Sequence, residues 1–251
     1  HEAIWKPFLH QFSYHLEQMG WLEKTTIAMD ERGLEDMKKT IRLIQATVPG
    51  IRITLAGNYH AEIQNNIHDL CLFIKPPIEL KYIQERAEKD KITTFYTCCA
   101  KPEHPNNFTF SPPAEQTWIG WYASAQGYSG YLRWAYNSWP ENPLQDSRFR
   151  SWPAGDTYQV YPGPRSSVRF EKLREGIQDY EKIRIIKKAL NQYPETDSIR
   201  QKFDKTLEMF SLKNLSDKPA SYWVDQGQEM LEELSTVGSP QSAVHSPNLR
   251  H

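Results

Sequence analysis

The sequence predicts an α/β fold with a mostly parallel sheet, and two observations carry this prediction. Short runs rich in β-branched and aromatic residues alternate, over the first half of the chain, with longer segments whose apolar residues recur every three to four positions. Strands separated by helices in this way are typical of βαβ units. With 251 residues and 39% hydrophobic content, the chain is long enough to bury one sizeable core.

A helix is predicted first and a short strand after it. Residues 5–22 carry side chains at helical spacing, and Gly20 is a suitable end. The predicted buried face consists of Phe8, Phe12, His15, Leu16 and Met19. The run TTIAMDE at 25–31 then reads as a buried strand that ends abruptly in Asp30 and Glu31.

Four further strands and several helices follow in alternation. The predicted strands are 52–57, 69–74, 92–98 and 130–136. The predicted helices are 34–47, 78–90, 114–127 and 167–192, with a smaller helical region over 196–210 and 220–235. Pro49 and Gly50 close the helix over 34–47, and the aromatic run at 130–139 alternates as a strand does.

Composition excludes several classes of partner. The formal net charge is -1, which leaves no positive surplus for nucleic acid or an anionic bilayer, and no apolar run approaches the roughly 20 residues of a membrane span. Cys71, Cys98 and Cys99 lack metal-ligand spacing, so we predict small buried hydrophobes, with no metal and no cofactor. The 8 Trp, 13 Tyr and 10 Phe are compatible with a carbohydrate site or with an aromatic core.

Polar residues gather where the predicted strands end, and in parallel α/β folds the chemistry lies at those ends. They are Asp30 and Glu31, Asn58 with Tyr59 and His60, Lys75, and the stretches 96–99 and 134–139. Two acids that end an apolar strand are costly to desolvate unless they are paired or used. The alternative is that Asp30 caps the next helix, Glu31 is solvated in its first turn, and Asn58 and His60 are ordinary loop residues.

Five segments resemble, in order, the catalytic domain of glycoside hydrolase family 123, the β-N-acetylgalactosaminidase family. They are TTIAMDE, FYTCCAKPEHPNNF, GYLRWAYNSW, GDTYQVYPG and SVRFEKLREGIQDYE, which together cover roughly residues 20–185. The resemblance implies a (β/α)8 TIM-type barrel in which the Asp-Glu strand is the fourth. The chain is then expected to hold about the last five strands, followed by C-terminal helices, with an upstream β-sandwich domain in the full-length protein.

The same resemblance implies a glycoside hydrolase that removes a terminal β-linked N-acetylhexosamine, N-acetylgalactosamine being favoured. In this substrate-assisted mechanism the 2-acetamido group attacks its own anomeric carbon. Glu31 becomes the acid and base, and Asp30 orients the acetamido nitrogen and stabilises the oxazolinium charge. The implied substrate-binding residues are Asn58, Tyr59, Tyr96, Trp134, Asn137, Trp139 and Tyr161, whereas Arg169 is expected to be structural.

Two departures from the family pattern leave the substrate open. Members commonly follow the Asp-Glu pair with proline, where this chain has Arg32, and often have glycine in place of Thr157. The sugar could be N-acetylgalactosamine, N-acetylglucosamine or one without an acetamido group. One competing hypothesis is a non-catalytic carbohydrate-binding or surface protein. Another is a conventional glycosidase that pairs Glu31 with Asp69 or Asp146, at a carboxyl separation of roughly 5 Å or 6.5–9.5 Å.

The predicted elements and the family resemblance together give an expected domain organisation. Residues 1–192 are expected to form the C-terminal part of the barrel, 193–236 a helical extension, and 237–251 a loose tail. A glycan or oligosaccharide is the expected partner. A secreted, periplasmic or cell-surface location is expected, although the chain carries no signal-peptide layout.

Overall fold

A computed structural model describes residues 1–99, 104–163, 165–195 and 197–237 of the chain. Five strands form one sheet in the order β1-β2-β3-β4-β5. The strands are β1 (Thr26–Met29), β2 (Arg52–Gly57), β3 (Asp69–Phe73), β4 (Ile92–Thr97) and β5 (Gly130–Arg133). Neighbouring strands from β1 to β4 pair in parallel. The predicted α/β class and the position of every predicted strand are confirmed, each to within a few residues.

Helices follow the strands as the periodicity predicted. They are α1 (Glu2–Gln18), α2 (Leu34–Thr47), α3 (Leu80–Ala87), α4 (Ala114–Gln126), α5 (Val168–Leu190), α6 (Ser198–Glu208), α7 (Leu212–Asp217) and α8 (Ala220–Val237). Helix α7 was not predicted; it is short, and the side chain of its N-cap residue Ser211 accepts a hydrogen bond from the Asn214 backbone amide. The first residue of the predicted tail ends α8, and the rest of that tail, 238–251, lies outside the described residues.

The chain divides into two compact units. The strand unit comprises His1–Tyr96 and Tyr128–Leu132, and the helical unit comprises Thr97–Gly127 and the chain from Arg133 onward. None of the helices within the described ranges is long and apolar enough to span a bilayer.

The core of the strand unit lies between one face of the sheet and the helices α1 and α2. Its buried members are Leu9, Met37, Ile41, Ile44, Val48, Ile51, Ile53, Leu55, Ile63, Ile67, Leu70 and Leu72. Side chains alternate across a strand, so Ile53 and Leu55 of β2 share the face that α2 covers. Strand β1 lies at one edge of the described sheet.

The predicted buried face of α1 is wrong by about one position. Phe8 and Met19 are about half exposed, whereas Leu9, Ser13 and Leu16 are buried. Apolar residues of α1 lie on two adjacent stripes, and spacing alone does not say which stripe packs against the sheet. The exposed stripe is occupied by Phe8 stacked on Phe12, with ring centroids 5.7 Å apart.

The core of the helical unit is built around α4, in which residues on all sides of the helix are buried. Gly120 of α4 faces Gly176 of α5 so closely that a β-carbon on Gly120 would lie 2.1 Å from the Gly176 carbonyl oxygen. Trp121 stacks on Phe210 at 4.6 Å between ring centroids, and its indole nitrogen donates to Asp179 Oδ2 at 3.0 Å. The absence of side chains at the two glycines lets the helices approach to backbone contact.

The three cysteines differ in how far they are buried. Cys71 lies in the middle of β3 and is buried, as predicted, and burial raises the pKa of its thiol to about 11. Cys99, in contrast, is exposed and Cys98 is half-buried. The prediction of buried hydrophobes is therefore wrong for Cys99, because β4 ends at Thr97 and the last two cysteines belong to the following loop.

Candidate active site

Asp30 and Glu31 directly follow β1, and both residues are exposed. Helix α2 begins only at Leu34, its N-cap residue is Gly33, and no side chain caps it. The alternative in which Asp30 caps this helix and Glu31 lies in its first turn is therefore wrong. Both carboxylates stand on the short link between the carboxyl end of β1 and the helix.

The Glu31 carboxylate is held by a residue from another strand. The Tyr96 hydroxyl, near the end of β4, donates a hydrogen bond of 2.9 Å to Glu31 Oε1. The Tyr96 ring packs on Phe73 at the end of β3, with centroids 5.3 Å apart. The Glu31 side chain also passes close to Gly57, the last residue of β2, where an added β-carbon would lie 2.8 Å from Glu31 Cγ. The ends of β1, β2, β3 and β4 are thus linked through one acid.

Arg32 follows the two acids and contacts both. Its guanidinium lies 3.8 Å from Asp30 Oδ2 and donates to the Glu31 backbone carbonyl at 2.6 Å. The Arg32 and Asp30 side chains are 69% and 76% exposed. An exposed ion pair at this distance is weak, so Asp30 can exchange Arg32 for another partner at little cost.

Asn58 and Tyr59, the predicted site residues after β2, lie in different surroundings. Asn58 is exposed directly beyond the strand. The Tyr59 ring packs on Tyr82 of α3, with centroids 4.9 Å apart, and both line a polar cavity that Arg86 borders. Burial raises the pKa of the Tyr59 phenol. The structure therefore brings Tyr96 to Glu31 and directs Tyr59 toward α3.

The conventional-glycosidase hypothesis offered Asp69 and Asp146 as the second carboxylate, and the structure shows the surroundings of each. Asp69 begins β3 and, through Thr54, is level with Ala28 in the middle of β1, so it lies below the strand ends that carry Glu31. Asp146 is paired with Arg148 at 2.7 Å, and hydrogen bonds from Arg148 lower the pKa of Asp146 to about 2. A carboxyl that stays ionised in this way is a poor proton donor, so in a pair with Glu31 it would have to act as the base or the nucleophile.

Four predicted site residues belong to the helical unit, on the irregular segment after β5. Trp134 is 42% exposed and meets Trp152 edge to face, with centroids 4.4 Å apart. The Trp139 indole nitrogen donates to the Val160 carbonyl at 2.7 Å. Asn137 and Tyr161 share one neighbour: Asn137 forms a β-bridge with Tyr158, and the Tyr161 ring packs on the Tyr158 ring at 5.3 Å.

A buried ion pair, which the sequence analysis did not single out, anchors this segment. Arg133 donates to Asp156 Oδ1 at 2.5 Å, and their side chains are 4% and 0% exposed. The Arg133 guanidinium also donates to Asn106 Oδ1 and to the Thr97 carbonyl. Arg133 immediately precedes Trp134, so the pair holds the backbone from which that ring projects. A single cation inside an aromatic strand motif is the signal that could have indicated it.

Arg169 is structural, as predicted. Its guanidinium is buried and donates at 2.7 Å to the carbonyl oxygens of both Asn107 and Gly155. Gly155 has a φ of +78°, and a β-carbon there would lie 2.7 Å from Arg169 Nη1, so this turn accepts the guanidinium only because residue 155 is glycine. The contact ties α5 to the GDTYQVYPG segment.

Glu115, at the start of α4, is a further buried acid. Its carboxylate contacts His104 Nδ1 at 2.5 Å and accepts a hydrogen bond from the Asn106 backbone amide at 2.8 Å. Burial raises the pKa of Glu115, and the contacts with Asn106 and His104 offset this only in part. The folded protein therefore keeps a proton on Glu115 at pH values where the unfolded chain has lost it.

The Glu115→Gln substitution is expected to reduce the loss of stability as the pH rises. An acid whose pKa is raised in the folded state contributes stability below its unfolded pKa, near 4.5, and this contribution is lost as the pH rises through the folded value. Glutamine can keep both hydrogen bonds without titrating. Melting temperatures between pH 4.5 and 8 should fall less steeply for Glu115→Gln than for the wild type. The exposed Glu141→Gln is the control, and parallel curves for wild type and Glu115→Gln would contradict the assignment.

Within the described ranges, no group of three or more His, Cys, Asp and Glu side chains is arranged to hold a metal ion. Two adjacent, exposed carboxylates at a strand end are groups that can transfer a proton or stabilise a positive charge.

Comparison with known proteins gives a match to a family model and matches to solved structures. The family model described as glycoside hydrolase 123, catalytic domain, matches residues 1–186. Among solved structures, the chain is similar to a family 123 glycoside hydrolase from Clostridium perfringens, analysed for the details of glycolipid glycan hydrolysis. The sequence identity is 26% and the TM-score 0.80, over 95% of this chain and 46% of that chain. This chain thus spans less than half the length of that protein. No curated protein matches it significantly.

Proposed function

We propose a reaction for this chain from the premise that it belongs to glycoside hydrolase family 123, whose catalytic-domain model matches residues 1–186. The chain cleaves a terminal β-linked N-acetylhexosamine, N-acetylgalactosamine being favoured, with retention of configuration and with Asp30 and Glu31 as the reacting acids. The observation that carries the proposal is the adjacent pair of exposed carboxylates at the end of β1, one of them held by Tyr96.

Glu31 serves as the acid in the first step and as the base in the second. The acetamido oxygen attacks C1 while the bond from C1 to the leaving oxygen breaks, and Glu31 gives its proton to that oxygen. A water molecule then attacks C1 and loses a proton to Glu31, and the oxazolinium ring opens. Tyr96 occupies Oε1 of Glu31, which leaves Oε2 for the proton.

Asp30 acts on the acetamido group. Its carboxylate accepts the hydrogen bond from the acetamido nitrogen and stabilises the positive charge that develops on the ring. Consecutive residues at a strand end point in different directions, so Asp30 and Glu31 can reach two groups of one sugar. The weak, exposed contact of Asp30 with Arg32 supports this role, because the substrate can replace it.

The substrate class is proposed from the same premise. The similar Clostridium perfringens enzyme acts on glycolipid glycans, and we extend glycoconjugate glycans to this chain as the class to test. Trp134 and Trp139 are proposed to stack on sugar faces, and Asn58, Tyr59, Asn137 and Tyr161 to hydrogen-bond sugar hydroxyls. Their exposed or half-buried positions support this proposal, least for Tyr59, whose ring is occupied by Tyr82.

A panel of aryl β-glycosides tests the proposal. We expect the 2-acetamido-2-deoxy-galactoside to be cleaved fastest, the corresponding glucoside more slowly, and the 2-hydroxy sugars hardly at all, since these lack the internal nucleophile. Release of the aryl group is measured by absorbance under initial-rate conditions. Equal rates for the 2-hydroxy and 2-acetamido galactosides would contradict substrate assistance and favour a conventional glycosidase. Binding of the sugars without turnover would favour the non-catalytic alternative.

A further inference from the structure

The Glu31 side chain lies where a larger residue at position 57 would place its β-carbon. At the end of β2, Gly57 has no side chain, and Glu31 Cγ occupies the space that one would fill: a β-carbon on Gly57 would lie 2.8 Å from Glu31 Cγ and 3.7 Å from Glu31 Cβ. A carbon contact below 3.0 Å does not persist in a folded protein, so any larger residue would displace the Glu31 side chain.

The far end of the same side chain is fixed from β4. In the sheet order, β1 and β4 are separated by three strand spacings, which is roughly 14 Å at about 4.8 Å per spacing in a flat sheet. The 2.9 Å hydrogen bond from Tyr96 to Glu31 forms because both side chains extend toward each other beyond the ends of β2 and β3. The ring contact with Phe73 sets the direction of the Tyr96 phenol.

We propose that Gly57 and Tyr96 are positioning residues for the Glu31 acid: Gly57 leaves the path across the end of β2 open, and the Tyr96 hydroxyl holds Oε1 at the end of that path. The inference rests on the proposed function, since it assumes that Glu31 transfers the proton. A flexible glutamate at an exposed strand end has several rotamers, and holding both its stem and one oxygen selects one of them before the substrate arrives.

The first test is Gly57→Ala. Displacing a reacting group by about 1 Å typically costs on the order of 10²-fold in rate, so kcat should fall by about that factor while KM stays within about twofold. Gly50→Ala is the matched control: Gly50 lies two residues before β2, also has a positive φ (+90° against +157° for Gly57), and has no atom within 4 Å of an added β-carbon. Gly50→Ala should lower the melting temperature but leave kcat unchanged.

The second test separates displacement of Glu31 from general damage. Glu31→Ala removes Cγ, so in that background Gly57→Ala no longer displaces anything. With a substrate that has a poor leaving group, for which the Glu31 proton matters most, Gly57→Ala should slow the wild-type enzyme by more than tenfold and leave the residual rate of Glu31→Ala unchanged. Equal factors in the two backgrounds would overturn the positioning role of Gly57. A Glu31→Ala enzyme as active as the wild type would instead overturn the proposed function.

The third test is Tyr96→Phe, which keeps the ring against Phe73 and removes only the hydroxyl. We expect kcat for a substrate with a poor leaving group to fall about tenfold with KM unchanged, because hydrogen bonds to charged groups are among the stronger ones. Tyr82→Phe, on α3, should leave both constants unchanged. A higher KM with unchanged kcat would overturn the positioning role and make Tyr96 a substrate-binding residue.

Discussion

Replacement of Glu31 by glutamine is expected to lower kcat for N-acetylhexosaminides with poor leaving groups by about 10²–10⁴-fold, the usual contribution of a positioned acid. Activated aryl glycosides should lose much less, because a nitrophenolate departs without a proton. Glutamine has almost the same size as glutamate and can still accept the hydrogen bond from Tyr96, so the path past Gly57 is preserved. The measurement is kcat over a series of aryl N-acetylhexosaminides with leaving groups of graded acidity.

The control for this experiment is Glu35→Gln, which removes the same charge from the first turn of α2. Glu35 is 72% exposed and pairs with Lys38 at 3.0 Å, and it has no part in the proposed reaction. Its kcat should equal that of the wild type for every leaving group. Equal losses for good and poor leaving groups in Glu31→Gln would exclude Glu31 as the proton donor.

The strands and the two acids could be predicted because the signals are local. The TTIAMDE run contains its own strand propensity and its own abrupt end, so the position of Asp30 and Glu31 beyond β1 follows from a few neighbouring residues. Most of the helices α2 to α8 were predicted for the same reason, since an amphipathic stripe and its end residues are contained within one segment.

The surroundings of Glu31 could not be predicted in the same way. Tyr96 was predicted to be near the site as a strand-end residue, but its contact with Glu31 joins residues 65 positions apart and depends on the order of four strands. Nothing in the sequence around Gly57 distinguishes it from an ordinary strand-ending glycine. Its role is visible only once Glu31 Cγ is seen to lie against it.

The ion pair between Arg133 and Asp156 was not predicted, also because its two residues lie far apart in the sequence. Arg133 lies in a motif whose aromatic residues suggested a sugar platform, and its partner Asp156 lies in another motif 23 residues later. A buried arginine requires a buried acceptor, but the sequence offers 31 acidic residues and no rule for choosing among them. The displaced face of α1 has the same origin, because the choice between two apolar stripes is made by the sheet and not by the helix.

Replacement of Asp30 by asparagine tests the acetamido group as the nucleophile. The substitution keeps the size of the side chain but removes the negative charge that would face the developing oxazolinium ion, and loss of such a preorganised partner typically costs on the order of 10²–10³ in kcat. Asp36→Asn is the matched control: Asp36 is 73% exposed, lies in the first turn of α2 and is paired with Lys39 at 3.5 Å. Its kcat should not change.

A thiazoline analogue of the cyclised intermediate supplies the second readout for Asp30. If the acetamido oxygen attacks C1, the thiazoline resembles the shape and charge near the transition state, so the wild type should bind it far more tightly than N-acetylgalactosamine. Asp30→Asn should lose that preference in parallel with kcat, while its affinity for the free sugar changes much less. The measurement is the inhibition constant of each of the two ligands for the wild type, Asp30→Asn and Asp36→Asn. A wild type that binds the thiazoline no better than the sugar would exclude the oxazolinium route and return Asp30 to the role of a surface acid paired with Arg32.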